Sequence, residues 1–233
     1  MSKLRTRVHD TPRGIRSHEV DRFRHDHIVV IPAHQIRASY TAETITVYQA
    51  YPPEITRPAL AAGRFVPPFK RERMTWVKPS FLWMMYRCGW ASKPGQEVVL
   101  AVELLRTGFE WALANACLSH FDRSLYPDRD AWTRRLAVSR VRVQWDPERS
   151  LRLEPLPYRS LQLGLSGEAV DRYVDEWTVG LTDVTGTART IADRVRRGAD
   201  DEATALLPAL RPYPLPPEIG AAIGASPQSE TTS

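Results

Sequence analysis

Apolar and polar positions along the chain repeat with two different periods, and each change of period marks out an element. Alternation and short apolar runs predict strands at IVVI (28–31) and ITVYQAY (45–51), closed by Pro32 and by Pro52-Pro53. A short helix follows, with Pro58 near its first turn, four residues of body and Gly63 as its stop. MTWVK (74–78) reads as a strand, after which Pro79 starts a helix running to Tyr86. That helix is apolar on every side, which predicts burial. VVLAVELL (98–105) is a continuous apolar run of the kind found in a central strand. Thr107 and Glu110 then have the spacing of a capping box, in which the two side chains satisfy two free amides reciprocally.

A second helix is predicted to begin near Asp128 or Asp130. Two alternating runs follow. VSRVRVQW (138–145) puts Val141, Val143 and Trp145 on one face and Arg140, Arg142 and Gln144 on the other, and RSLQLGL (159–165) does the same with three leucines against Ser160, Gln162 and Gly164. Ser166 is placed to cap a helix through Trp177, and a last helix runs from about Thr187 to Arg197 with Gly198 as its stop. About six strands and six helices without an internal repeat predict an α+β fold: a single domain with a mixed or split β-sheet and flanking helices.

Composition narrows the classes. A 233-residue chain with 42% hydrophobic and 25% charged residues is globular in type, and its longest strongly apolar run, 81–85, is far too short to span a bilayer. The N-terminal segment has no apolar core of a secretory signal, so a cytoplasmic location is the expectation. Cys88 and Cys117 are too few for a disulfide framework or a cysteine zinc site. Charge divides the chain into three zones. Residues 1–27 hold seven basic and four acidic residues and read as a flexible basic arm. Residues 199–233 hold one arginine, five acids and six prolines and read as a largely disordered acidic tail. With the arm at +3 and the tail at −4, the chain's net +5 leaves +6 on the globular domain, 28–198.

The densest chemistry lies in FKRERMTWVKPSFLWMMYRCGW (69–90), where aromatic rings interleave with Lys70, Arg71, Arg73, Lys78 and Arg87. Cations hold phosphates and ring faces stack on bases or a nicotinamide, so this mixture is what a nucleotide or nucleic-acid site requires. Thr75, Lys78 and Ser80 fall at a strand-to-helix junction, where free amides favour an anion. On the strand 45–51, Gln49 and Tyr51 share one face and Tyr48 the other, with Arg37 upstream as a phosphate clamp and Gln162 as a further polar member. No P-loop or glycine-rich dinucleotide turn occurs. His25, His27 and His34 lack the partners of a metal site, and no metal is expected. Cys117 and His120, three apart at the end of an apolar helix, read as packing and a helix-terminal charge rather than a thiol nucleophile.

IRASY, ETITVYQAY, FVPPFKRERMTWVKPSFLWMMYRCGWASKPGQ, GFEWAL and RSLQLGLSGEAVDRY resemble the uncharacterised family catalogued as domain of unknown function 4291, over about residues 35–190. The resemblance implies no activity. The order of strand, short helix ending in glycine and second strand is more loosely similar to the ADP-ribosyltransferase and RNA 2′-phosphotransferase superfamily. Its aromatic-His-Gly-Thr motif would stand at Tyr48-Gln49-Ala50-Tyr51, its short helix would end at Gly63, and its second strand would be Met74-Thr75-Trp76. Gln49 and Ala50 depart from that motif, and only Glu103 or Glu148 offers a counterpart to a late catalytic glutamate.

What this second resemblance implies is an NAD site that transfers ADP-ribose, with a nucleic acid among the partners it is transferred to or from. Gln49, Tyr51 and Thr75 would serve catalysis, while Arg37, Tyr48, Lys78, Ser80, Trp83, Arg87 and Gln162 would bind the cofactor. A non-catalytic RNA- or DNA-binding module is the other expectation, resting on Arg71, Arg73 and Arg87.

Overall fold

Strands pair here according to which of their faces must be dry. The computed structural model describes residues 31–227. In chain order its elements are β1 (Arg37–Ala38), β2 (Thr44–Tyr51), α1 (Pro53–Ala62), β3 (Thr75–Val77), α2 (Phe81–Cys88), β4 (Val98–Leu105), α3 (Arg106–Ala114), β5 (Ala116–Leu118) and α4 (Arg129–Val138). There follow β6 (Val141–Arg149), β7 (Pro155–Leu165), α5 (Glu168–Arg172) running into a π-helical turn (Tyr173–Trp177), β8 (Thr178–Asp183), α6 (Thr185–Arg196), α7 (Asp200–Thr204), β9 (Arg211–Pro212) and α8 (Pro217–Ala222).

The apolar run at 98–105 becomes β4, the centre of a three-stranded sheet with β2 and β8 antiparallel on either side. The two alternating runs become β6 and β7, paired antiparallel in a four-stranded sheet of order β3-β7-β6-β5. A large core is shared by both sheets: Ile45, Val47 and Val102 from the first meet Val77, Val141 and Leu163 from the second. A smaller core lies under α2, where Phe81, Met84, Met85 and Cys88 pack with Tyr48, Val99 and two residues of α6. Each such buried aliphatic or aromatic side chain contributes roughly 1.5–3 kcal/mol of transfer free energy. The fold is α+β, as the pattern predicts.

Several local expectations are corrected. α1 starts at Pro53, which occupies the first turn where a missing N–H costs nothing, and it ends at Gly63 with φ of 64°. The capping box at Thr107 does not form, because α3 follows β4 without a loop and Leu105 takes the N-cap position. Glu110 instead accepts a 2.6 Å hydrogen bond from the Tyr213 hydroxyl and pairs with Arg106. Ser166 donates to the Arg140 carbonyl and Gly167 stands at the N-cap. Cys117 lies on β5 rather than on a helix, hydrogen-bonded with Tyr126, so the helical spacing to His120 does not exist. β8 goes unpredicted because TVGLTD is a half-exposed edge strand with no clean alternation.

The described part of the acidic proline-rich segment, 199–227, is ordered, where composition predicts disorder. Tyr213 and Ile223 are fully buried, β9 pairs with β1, and the Trp145 indole donates to the Ile223 carbonyl at 2.8 Å. Averaged composition hides these anchors, because a few apolar side chains spaced among prolines suffice to dock a segment whose prolines already restrict the unfolded chain. The basic arm, 1–27, and residues 28–30 of the first predicted strand lie outside the described residues. Among the described residues no helix is long and apolar enough to cross a membrane.

Candidate functional site

β2 and β3 belong to different sheets and touch at one point. Tyr48 and Lys78 form an isolated antiparallel bridge, with Tyr48 N–H donating to the Lys78 carbonyl at 2.7 Å and Lys78 N–H returning at 3.3 Å. Beyond that bridge the two strands form no backbone ladder, and side chains take its place. Gln49 Nε2 donates to Thr75 Oγ1 at 2.7 Å and to the Trp76 carbonyl at 3.1 Å, while the buried Tyr173 hydroxyl donates to Gln49 Oε1 at 2.5 Å. The Tyr51 hydroxyl shares a 2.8 Å hydrogen bond with Thr75 Oγ1. A buried polar network in which every member is satisfied fixes one arrangement and penalises others.

Where the strands part, a cleft of about 690 Å³ opens. That is ample for a nucleotide-sized ligand. Gln49 and Tyr51 of β2, Thr75, Trp76 and Lys78 of the β3 segment, and Trp83 and Arg87 of α2 line it. Gln144 of β6 and Gln162 of β7, directly opposite each other in register, line it too. Lys70 and Arg73 approach from the loop before β3, and no carboxylate lines the cleft among the described residues. Lys70, Arg73 and Arg87 are in no ion pair among the described residues, so the cleft carries uncompensated positive charge. Arg71 is different: it chelates Asp175 at 2.5 and 2.7 Å and reaches Asp171 at 3.3 Å, so its charge is compensated, and it does not line the cleft.

Lys78 is the group whose chemistry the cleft changes most. Its side chain is only 5% exposed, and its ammonium has one hydrogen bond, to the Trp76 carbonyl at 3.3 Å, with the Trp83 ring 5.3 Å away. Burial, and then the neighbouring Arg87 charge, lower its pKa to about 7, against a smaller opposing pull from Asp146. Asp146 is itself held by Gln144 at 2.9 Å and Gln162 at 2.6 Å. Burial raises the Tyr51 phenol to about 12, against its hydrogen bonds to Thr75 and Gln49, so it is a neutral donor at ordinary pH. The Trp83 indole Nε1 is buried without a hydrogen-bond partner, an unmet donor on a residue of the cleft wall.

Seven of the ten residues singled out from sequence therefore line one cleft: Gln49, Tyr51, Thr75, Lys78, Trp83, Arg87 and Gln162. Three do not. Arg37 donates to the Leu210 carbonyl and to Gln35, anchoring the β1–β9 ribbon. Tyr48, one residue out of phase with Gln49, is buried against Phe81 in the smaller core. Ser80 caps α2 by accepting from Trp83 N–H at 3.1 Å and donates to Glu148 at 2.8 Å, so the helix start is occupied by its own side chain. Burial raises the Glu148 carboxyl pKa, and Glu148 does not line the cleft; Glu103 is exposed on β4 beside Gly180.

Arg73 and Trp76 are read from the sequence only as members of the basic-aromatic run, and Gln144 and Asp146 are missed as site residues. The signal was present for the last two, since alternation places Gln144 and Asp146 on one face of β6, the face that Gln162 shares on β7.

A family model described as domain of unknown function (DUF4291) matches residues 35–213. No curated protein and no solved structure matches the chain.

Proposed function

We propose that this chain, which belongs to the family described as domain of unknown function (DUF4291), binds NAD or a related nucleotide in the cleft between its three- and four-stranded sheets and transfers the ADP-ribosyl group. The observation that carries the reading is the convergence of Lys70, Arg73 and Arg87 with the rings of Trp76 and Trp83 around one cavity free of carboxylates among the described residues. Cations in no ion pair among the described residues suit a diphosphate, and indole faces suit an adenine or a nicotinamide. The order β2, α1 ending at Gly63, then β3 is compatible with the loose resemblance to the transferase superfamily.

Breaking the nicotinamide–ribose bond builds positive charge on the ribose, so a site for it must orient the sugar and stabilise that charge. The Tyr51 hydroxyl is a neutral donor at the cleft wall for a ribose oxygen. Gln49 acts one step back: its amide is committed to Thr75, Trp76 and Tyr173, and it holds the two strands that shape the cleft. With no glutamate on the cleft wall among the described residues, support for the ribosyl cation falls to the ring faces and to the ligand's own diphosphate.

Incubation with labelled NAD and protein or nucleic-acid acceptors, with nicotinamide release measured in parallel, tests the reading. Transfer of label with release of nicotinamide is expected; neither at millimolar NAD would sink it. A second reading, a module that binds RNA or DNA without altering it, draws on Met74 and Tyr86, exposed apolar groups near the same cations. It predicts binding that weakens linearly with salt on logarithmic axes and leaves the nucleic acid unchanged.

A further inference from the structure

Lys78 combines features that binding a phosphate does not need. A lysine serving as a point charge works best hydrated and fully protonated, beside a carboxylate or at the protein surface. Lys78 is 5% exposed, and among the described residues it is in no ion pair and its ammonium donates only to the Trp76 carbonyl, at a long 3.3 Å. The cleft offers Lys70, Arg73 and Arg87 for anions already. The charged groups facing the amine are Arg87 on α2, which opposes its protonation, and Asp146 on β6, which favours it, with Cys88 of α2 a weaker influence in the same direction as Asp146. Its backbone is fixed by the bridge to Tyr48, so the amine is held at the wall rather than sweeping through solvent.

From this geometry we infer that Lys78 is a carbonyl-reactive amine, and that the cleft accepts a phosphorylated aldehyde or ketone and forms an imine with it. The amine lone pair attacks the carbonyl carbon, and the C–N bond forms as the C=O π electrons move to oxygen, which gains a proton. Nitrogen then loses a proton, water leaves from that carbon, and the C=N bond is made, so no oxidant or reductant is consumed. The phosphate is held by the cleft's cations while the carbonyl reaches the amine. The lowered pKa of Lys78 supports this by leaving a large fraction of the amine unprotonated near neutrality. The inference does not depend on NAD binding.

The probe is pyridoxal 5′-phosphate, added to the full chain at substoichiometric amounts, followed by borohydride reduction of the imine and peptide mapping. Lys78 is expected to take at least roughly tenfold more label than the exposed Lys70, at a rate that rises through about pH 7 and then levels off as the Lys78 amine becomes fully deprotonated. Pyridoxal without its phosphate is expected to label Lys78 several-fold less. A Lys78→Met variant should lose the label, and because the wild-type comparison is internal, the test stands even where that variant folds poorly. Equal labelling of Lys70 and Lys78, or a Lys78 rate that climbs steadily to pH 10, would overturn the inference, as would equal reaction with and without the phosphate.

Discussion

Replacing Gly108 with alanine is expected to destabilise the protein by about 3 kcal/mol, although the same change in a helix ordinarily stabilises. Gly108 sits in the first turn of α3, and a Cβ there would lie 2.3 Å from Cγ of Trp177 and 2.4 Å from Cδ1. No rotamer adjustment absorbs that, because the indole is 5% exposed and is itself packed against Trp111. Either α3 or the π-helical turn carrying Trp177 must move, and both pack on the large core. For a chain of this length the cost corresponds to a fall in melting temperature of roughly 6–12 °C. A thermal melt of Gly108→Ala measures it, and an unchanged midpoint would show that the α3–Trp177 contact is slack.

Gln49→Leu is expected to cost a comparable amount, about 3 kcal/mol, through a different mechanism. The substitution nearly preserves volume but removes an acceptor from the fully buried Tyr173 hydroxyl and donors from Thr75 and the Trp76 carbonyl. Each buried polar group left without a partner costs about 1–3 kcal/mol, and Thr75 keeps its bond to Tyr51. Urea denaturation reads the loss. Gln49→Glu, which restores the acceptor for Tyr173 alone, should recover only part of it. Wild-type stability in Gln49→Leu would mean that the clamp between β2 and β3 is not what holds the cleft open.

Where apolar periodicity was strong, the elements are legible in the residues. VVLAVELL is β4 to the residue, and the inward leucines of β7 are those that the alternation picks out. The cleft residues on β2 and β3 are legible for the same reason, since parity puts Gln49 and Tyr51 together and separates them from Tyr48. What the chain does not display locally is which partner satisfies each polar group. Glu110 fits a capping box by spacing, yet it is bound to Tyr213, 103 residues away. Ser80 fits an anion site by position, yet its hydroxyl is committed to Trp83 N–H and Glu148. Arg71 and Arg73 look alike in a basic run, and only the docking of the π-helical turn shows that Asp175 claims the first and leaves the second facing the cleft. The ordered C-terminal segment escaped because average composition says nothing of the individual side chain, here Tyr213, that anchors it.

The function proposed above requires the cleft between the three- and four-stranded sheets to be an anion-and-aromatic site for NAD. Calorimetric titration of NAD into the wild-type chain and into Arg87→Gln, at two salt concentrations, tests it most directly. Saturable binding is predicted for the wild type, weaker at the higher salt. About tenfold loss is predicted in the variant, whose side chain is exposed and whose replacement should leave the melting temperature unchanged. No heat of binding at millimolar NAD, or equal affinity in a folded Arg87→Gln, would contradict it.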